Sequence, residues 1–512
     1  MATAKERFED LNSKRDQVVQ RARDAADITI PAIMPPEGLD ENANLPQPYQ
    51  SLGARGVNNL TSKLRLSLFP PGQAFFKFQM ERAAKALLAG EDPEGLTSIE
   101  KGLLQLENDA LELLQSDNHG VTLHAALKQL TVAGNVLLHM PDDGGSRIFR
   151  LPMYVVVRDA MGNWFEVVAK EVVSKYTLDE AVKDATQVSI GEKEADEDVE
   201  VYTRITRRDN KAEWHQEIND IRVPGSEGRS DVDDCPYIPL RWAALENENY
   251  GRGHVEEYLG DLRSLEDLSK SLIQHAAAAS KVIFMDRPSS TTDLEAIQDA
   301  ESGDFVEGNI EDIGVLQVGK MQDFQVAKSQ VDDLSLRISH AFLLRSGTTR
   351  DAERVTAEEI RAVAQELEDV LGGVYTVLAS ELQQKVVRRL IVRLKKQGKF
   401  PKLPKGTLKP VVVTGFDALG RSHELNKLRA YFADGQQLFG EAFMAGFNAD
   451  SFAELLAVQH NVDISGLKKT DEQKAAEAQA QQQAALMEQT AGPLVSAIGP
   501  SVAESVAKNS GN

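Results

Sequence analysis

Arg345, Arg350 and Arg354 stand close together in the stretch RSGTTRDAERVTAEEI, residues 345–360. A guanidinium is always charged and presents a planar fork of donors, so it suits phosphate as well as carboxylate. Asp351 and Glu353 are interleaved with the arginines. Two readings stand at this point: the arginines hold an anion outside the chain, or they close local ion pairs with their acidic neighbours. The polar run Ser346, Gly347, Thr348, Thr349, Arg350 and Asp351 reads as a loop. It leads into a helix start, with Thr356 as N-cap, Glu359 completing a capping box, and Val355 and Ile360 as the flanking staple. A polar loop between two rigid helices can act as a gate or a grip on something that passes it.

Other chemistry is sparse. There is no G-x-x-x-x-G-K-[ST] loop to cradle phosphates, no H-E-x-x-H, no G-x-S-x-G, and the nine histidines are scattered. Gly251-Arg252-Gly253 lacks the third glycine and the βαβ setting of a dinucleotide loop. Cys235 stands in DDCPYIP, where neighbouring aspartates disfavour a thiolate, so it reads as a small buried hydrophobe. Neither a catalytic group, a cofactor nor a metal is expected. Two further sets of cations need a role. Lys270 and Lys281 lie on a helical stretch and face either a partner or solvent. Arg388, Arg389, Arg393, Lys395 and Lys396 cluster at a helix C-terminus, where cations complement the dipole.

The elements that must position these groups are mainly helical. The chain has 512 residues, an ordinary apolar fraction, a net charge of −22 and a single cysteine. It can therefore bury a sizeable core, has no disulfide framework, and is too acidic to coat nucleic acid. The charged N-terminus has no apolar signal region, and no apolar run is long enough to span a membrane. Helices are predicted over 3–27, 50–68, 80–89, 96–116 and 121–133. A β meander follows over 135–173 (NVLLHM, YVVVRD, WFEVVAKEVV), then a helix over 177–186, an acidic loop over 192–198, and strands VEVYTRIT and WHQEI. Val255, Leu259, Leu262, Leu265, Leu268 and Leu272 mark a helix of about thirty residues, roughly 45 Å long. Short strands near 282–286 and 314–318 separate it from a second helix over 326–345. The longest helix, 357–397, is expected to kink at Gly372-Gly373. The strand VVVTGF, helices over 422–463 and a low-complexity end at 471–490 complete the chain.

Four stretches carry a resemblance: SLGARGVNNLTSKLRLSLFPPG (51–72), HAALKQLTVAGNVLLHMP (124–141), YGRGHVEEYLGDLRSLEDLSKS (250–271) and ERVTAEEIRAVAQELEDVLGGVYTVLASELQ (353–383). In order and in content the chain resembles the portal proteins, or head-to-tail connectors, of podovirus-type short-tailed bacteriophages. The similarity runs from about residue 5 to about 430. It implies an α+β, mainly helical, elongated subunit that joins a homo-oligomeric ring of twelve at one capsid vertex of the virion. Mapped onto this chain, 1–249 is a wing, 250–281 a stem helix, 282–325 a clip, 326–345 the second stem helix and 346–356 a channel loop. Residues 357–421 return to the wing as the long kinked helix and a strand, and 422–512 form the crown and tail.

The resemblance further implies double-stranded DNA in the channel during packaging and ejection. Its implied partners are the major capsid and scaffolding proteins, the terminase, and the tail adaptor and internal core proteins, with assembly in the host cytoplasm and no membrane. A ring of such acidic subunits would repel the duplex within a Debye length of about 8 Å and let it slide. Rings of Arg345, Arg350 and Arg354 would interrupt that repulsion, with Lys270 and Lys281 as further candidates for the channel wall. The basic cluster at 388–396 is expected to cap its helix and pair between subunits. The alternative is a non-enzymatic helical scaffold without a channel, which would not form an open ring.

Overall fold

The computed structural model describes residues 2–36, 38–39, 42–71, 75–79, 93–116, 119–188, 198–279, 283–286, 293–309, 313–316, 321–344, 357–399, 411–414, 430–438, 440, 443 and 447. The predicted helix at 80–89, the acidic run up to residue 197, most of 422–463 and all of 471–490 lie outside them. By internal contacts the chain divides into residues 1–431 and 432–512.

The expected helix over 3–27 is two helices, α1 (Ala4–Asn12) and α2 (Asp16–Asp27). The break follows from Arg15, 3% exposed, whose guanidinium turns inward to donate to the Leu151 and Pro152 carbonyls and to Asn12. Next come α3 (Leu52–Leu68), β1 (Phe76–Gln79), α4 (Pro93–Ser116) and α5 (His119–Ala133). α3 and α5 are the centre of the main core. Leu60, Leu64, Leu123, Leu127 and Leu130 are at most 1% exposed, as an apolar stripe at three- and four-residue spacing dictates.

The β region differs from a single meander. Its strands are β2 (Asn135–His139), β3 (Arg147–Phe149), β4 (Tyr154–Arg158) and β5 (Trp164–Ser174); α6 (Glu180–Thr186) follows, and then β6 (Asp198–Arg208), β7 (Lys211–Ile218), β8 (Ile221–Arg222), β9 (Gly228–Asp231) and β10 (Tyr237–Arg241). β2 leaves its sequence neighbours to pair with β10 on one side and β3 on the other. The remaining strands form an antiparallel sheet in the order β4-β5-β6-β7-β8, with β9 also on β7. Local alternation identifies each strand, but the β2–β10 pairing spans about a hundred residues and has no local signal. One face of the larger sheet packs Val155, Val168 and Tyr202 on Ala4 and Phe8 of α1. The other face, through Val167, Ala169 and Ile205, joins the main core.

After the strands come α7 (His254–Glu257) and α8 (Leu259–Ala279), then β11 (Ile283–Asp286), α9 (Leu294–Gln298) and β12 (Ile313–Leu316), with β11 and β12 antiparallel. α10 (Met321–Ala341) packs back on α8. The long helix is segmented into α11 (Ala357–Leu371), α12 (Gly373–Leu378), a π turn (Ala379–Gln383) and α13 (Gln384–Lys396). The kink falls at Gly372, whose φ of 56° and ψ of −133° suit only a residue without a side chain. β13 (Val411–Thr414) pairs with β1. In the second unit, Phe432, Phe443 and Phe447 meet edge-on or tilted, with ring centroids 5.0–6.0 Å apart.

Candidate functional site at the root of the helix hairpin

The hairpin of α8 and α10 follows from matching apolar stripes, Leu262, Leu265 and Leu268 against Val331, Leu334 and Ile338. Two contacts fix its antiparallel sense: Arg337 lies 3.6 Å from Asp261 near one end, and Phe324 meets the His275 ring edge-on, at 6.0 Å, near the other. Its root is where the predicted loop begins, and several elements converge there.

The glycines of Gly251-Arg252-Gly253 serve this root as a crossing point for two backbones. A Cβ on Gly134 would lie 2.5 Å from the Gly253 nitrogen, and one on Gly253 would lie 2.5 Å from the Val132 carbonyl oxygen. Asn135 completes the crossing by copying a strand neighbour. Its Oδ1 accepts from the Gly251 amide at 2.7 Å, and its Nδ2 donates to the Gly251 carbonyl at 2.8 Å. A dinucleotide loop needs its backbone free to approach a phosphate, and here that space is filled by residues 132–135.

The crossing aims α7 so that His254 Nε2 donates to the Ala341 carbonyl at 3.0 Å, at the last turn of α10. The imidazole is enclosed by Trp242, Tyr258 and Phe342, and burial holds its pKa down at about 4, so it is neutral. α10 then ends in a Schellman motif. Leu344 N donates to Ser339 O at 2.8 Å, Leu343 N to His340 O at 3.2 Å, and Leu343 adopts φ 55°. Glycine usually takes that place, and leucine there costs about 1–2 kcal/mol.

The offsetting contacts come from α3. Asn59 Nδ2 donates to the Phe342 and Leu343 carbonyls at 3.0 and 2.9 Å, and Lys63 Nζ donates to the Leu343 carbonyl at 3.2 Å. Gly56 lets the Phe342 ring lie against α3, where a Cβ would come within 2.7 Å of it. Lys63 also reaches α11, 3.0 Å from Glu366 Oε2. α3 thus holds both the end of α10 and the middle of α11. Further along, Ser67 Oγ lies 2.5 Å from Tyr375 Oη, and Gln383 donates to the Leu68 carbonyl, so α3 also carries the kinked part of the long helix.

Arg345, Ser346, Gly347, Thr348, Thr349, Arg350, Asp351, Arg354 and Lys281 lie outside the described residues. Lys270 is exposed on α8, its Nζ 5.8 Å from the centre of the Tyr49 ring. The Tyr49 and Gln50 amides donate to Glu266, so Lys270 borders a mooring of the 44–50 stretch on α8.

On α13, Arg393, Lys395 and Lys396 stand in the last turn as expected, and Arg388, Arg389, Arg393 and Lys396 bind within the chain as well. Arg389, 1% exposed, donates to the Met140 and Asp234 carbonyls and to Asp142; Arg393, 1% exposed, meets the Pro141 carbonyl and His119. Lys385 and Arg388 pair with Asp233, and Lys396 with Asp143. The physical reason is that the Met140, Pro141 and Asp234 carbonyls lie in turns beside α13, and carbonyls taken out of water need donors. Cys235 is 3% exposed and burial pushes its thiol up to about 11, an inert group. Among the described residues no cluster of three or more His, Cys, Asp or Glu could hold a metal ion, and no helix is long and apolar enough to cross a membrane.

Sequence reading missed Asn59, Lys63, Asn135 and His254. For Lys63 a signal existed, since it falls on the apolar stripe of Gly56, Leu60, Leu64 and Ser67, where a cation requires a buried partner.

The sequence profile of the family described as bacteriophage head to tail connecting protein matches residues 1–467. The portal protein of Escherichia phage T7 is 41% identical over 479 residues, covering 92% of this chain and 89% of that protein. The portal protein of Enterobacteria phage SP6 is 31% identical, covering 94% and 93%. Among solved structures, a chain from the neck of an empty gene transfer agent particle covers 80% of this chain and 90% of its own at 12% identity and a TM-score of 0.37.

Proposed function

Because the chain belongs to the bacteriophage head-to-tail connecting protein family, we propose that it is a portal subunit whose ring of twelve conducts double-stranded DNA into and out of the capsid. In this reading α8 and α10 are the stem, 282–325 the clip, 346–356 the channel loop and 1–249 with 357–421 the wing. Residues 422–512 are the crown and tail. The assembly stands at one capsid vertex of the virion, contacts capsid, scaffolding, tail adaptor and core proteins, and takes the terminase on its clip. Translocation chemistry belongs to that terminase, so the reading assigns this chain no catalysis.

The observation that carries the proposal is the hairpin itself. Its root is locked by His254, Asn59 and Lys63, while its far half leaves Ile273 and Val326 52% and 66% exposed. Apolar side chains at that distance from the core suit heterologous packing against neighbouring stems. Formal charge supports a sliding role, since a chain of −22 repels a duplex except where arginines cluster.

The test is DNA retention in filled heads carrying Arg350→Ala. Leakage above wild type supports a grip at the loop. Retention equal to wild type removes that role from Arg350 and favours its pairing with Asp351 or Glu353.

A further inference from the structure

We infer that Lys63 is the positioning residue that ties the end of α10, at the entry of the channel loop, to the middle of α11, its exit helix, so that displacement of one is felt by the other. The inference rests on the reading of 346–356 as that loop, and it concerns only the described residues on either side of it.

Lys63 is 1% exposed, and its ammonium bridges two elements that are adjacent in the chain only through the loop. On one side it meets the Leu343 carbonyl at 3.2 Å, and on the other Glu366 Oε2 at 3.0 Å. A buried cation needs an anion, and the Glu366 side chain, itself 27% exposed, supplies one on the loop's exit helix. The carbonyl it also holds belongs to the residue in the left-handed conformation at the loop's entry. Withdrawal of α11 would leave the ammonium without this counter-charge and weaken the support for the Leu343 turn. Distortion of that turn would in turn remove a donor-acceptor contact that fixes the ammonium toward Glu366. Two sites sharing one buried group are thermodynamically linked in both directions.

The two arms of the long helix are held unequally, which gives the linkage a readable signature. α13 is fastened by Arg389 and Arg393 to the Met140 and Pro141 carbonyls rather than through Lys63. α11 has the Lys63–Glu366 contact and the apolar residues Val363, Ala364 and Leu367, and it joins the rest at the Gly372 break. Loss of the bridge should therefore loosen α11 and the end of α10 while leaving α13 as it was.

The experiment is hydrogen–deuterium exchange on full-length assembled rings of wild type, Lys63→Met, Glu366→Gln, the double variant and Lys63→Arg. Expected is a fall of about tenfold in protection over residues 339–344 and 357–371 for each single variant. The double variant should be no worse than either single, Lys63→Arg should restore most protection, and 384–396 should not change. Unchanged exchange in 339–344 for Glu366→Gln, or in 357–371 for Lys63→Met, would overturn the inference. So would a uniform loss across 357–371 and 384–396, which would indicate lost stability alone. Should Lys63→Met fail to assemble, Glu366→Gln decides, because its partly exposed side chain tolerates loss of charge. DNA retention in filled heads, measured on the same variants, tests the channel assignment independently of the exchange result.

Discussion

Gly134→Ala perturbs the root of the hairpin without touching any charged group. Gly134 has φ 72°, which costs alanine about 1–2 kcal/mol. The new methyl would also meet the Gly253 nitrogen at 2.5 Å and the Arg252 carbonyl carbon at 2.6 Å. Both are backbone atoms, so no rotamer relieves the overlap and the crossing must open, at about 1–3 kcal/mol. Opening it strains the paired Asn135–Gly251 hydrogen bonds, each contributing about 1 kcal/mol. A destabilisation of about 3–6 kcal/mol follows, and for a unit this large it should lower Tm by roughly 6–12 °C. The assay is thermal unfolding of the purified protein, with native mass measurement of the fraction assembled. Gly144→Ala is the control, because Gly144 has φ 78° but nothing within 4 Å of an added Cβ. It should cost only the conformational part, a drop of about 2–4 °C. Equal shifts for the two variants would refute the claim that close backbone approach is what Gly134 provides.

Other variants probe the remaining contacts. His254 takes up a proton near pH 4 when folded and near 6.5 when unfolded, so the unfolded chain binds more protons between those values. Its contribution of about 3 kcal/mol is therefore present above pH 6.5 and lost as pH falls toward 4, and His254→Gln should flatten the Tm-against-pH curve over that window. An unchanged slope would contradict the buried neutral imidazole. His139, held down at about 3 by burial and neighbouring arginines, leaves a residual slope in both proteins. Arg389→Met strips donors from two carbonyls and Asp142, and should cost about 3 kcal/mol, read as a lower denaturation midpoint with an unchanged m-value. Asn135→Leu is close in size but orphans the Gly251 amide and carbonyl; a loss of about 2–4 kcal/mol by the same assay is expected.

Much of this architecture was legible because it is local. Apolar residues at three- and four-residue spacing located α8 and α10, β-branched runs located β4 to β7, and the glycine pair at 372–373 located the kink. What escaped was set by contacts between distant segments. Asn135 declares itself only when Gly251 is brought beside it, and His254 only when α10 ends against it. The last-turn placement of Arg393 was legible, but the acceptors of Arg389 and Arg393 lie about 150 and 250 residues earlier and left no local signal. The β2 strand changed sheets because its partner β10 is remote in sequence.

Whether the chain closes into a ring bears most directly on the whole account. Native mass spectrometry of the purified full-length protein, paired with cryo-EM projections down the particle axis, answers it. A portal subunit predicts a twelve-membered annulus with an open axis and the α8–α10 hairpins surrounding the opening. A monomer or dimer, or a particle without an axial opening, would contradict it.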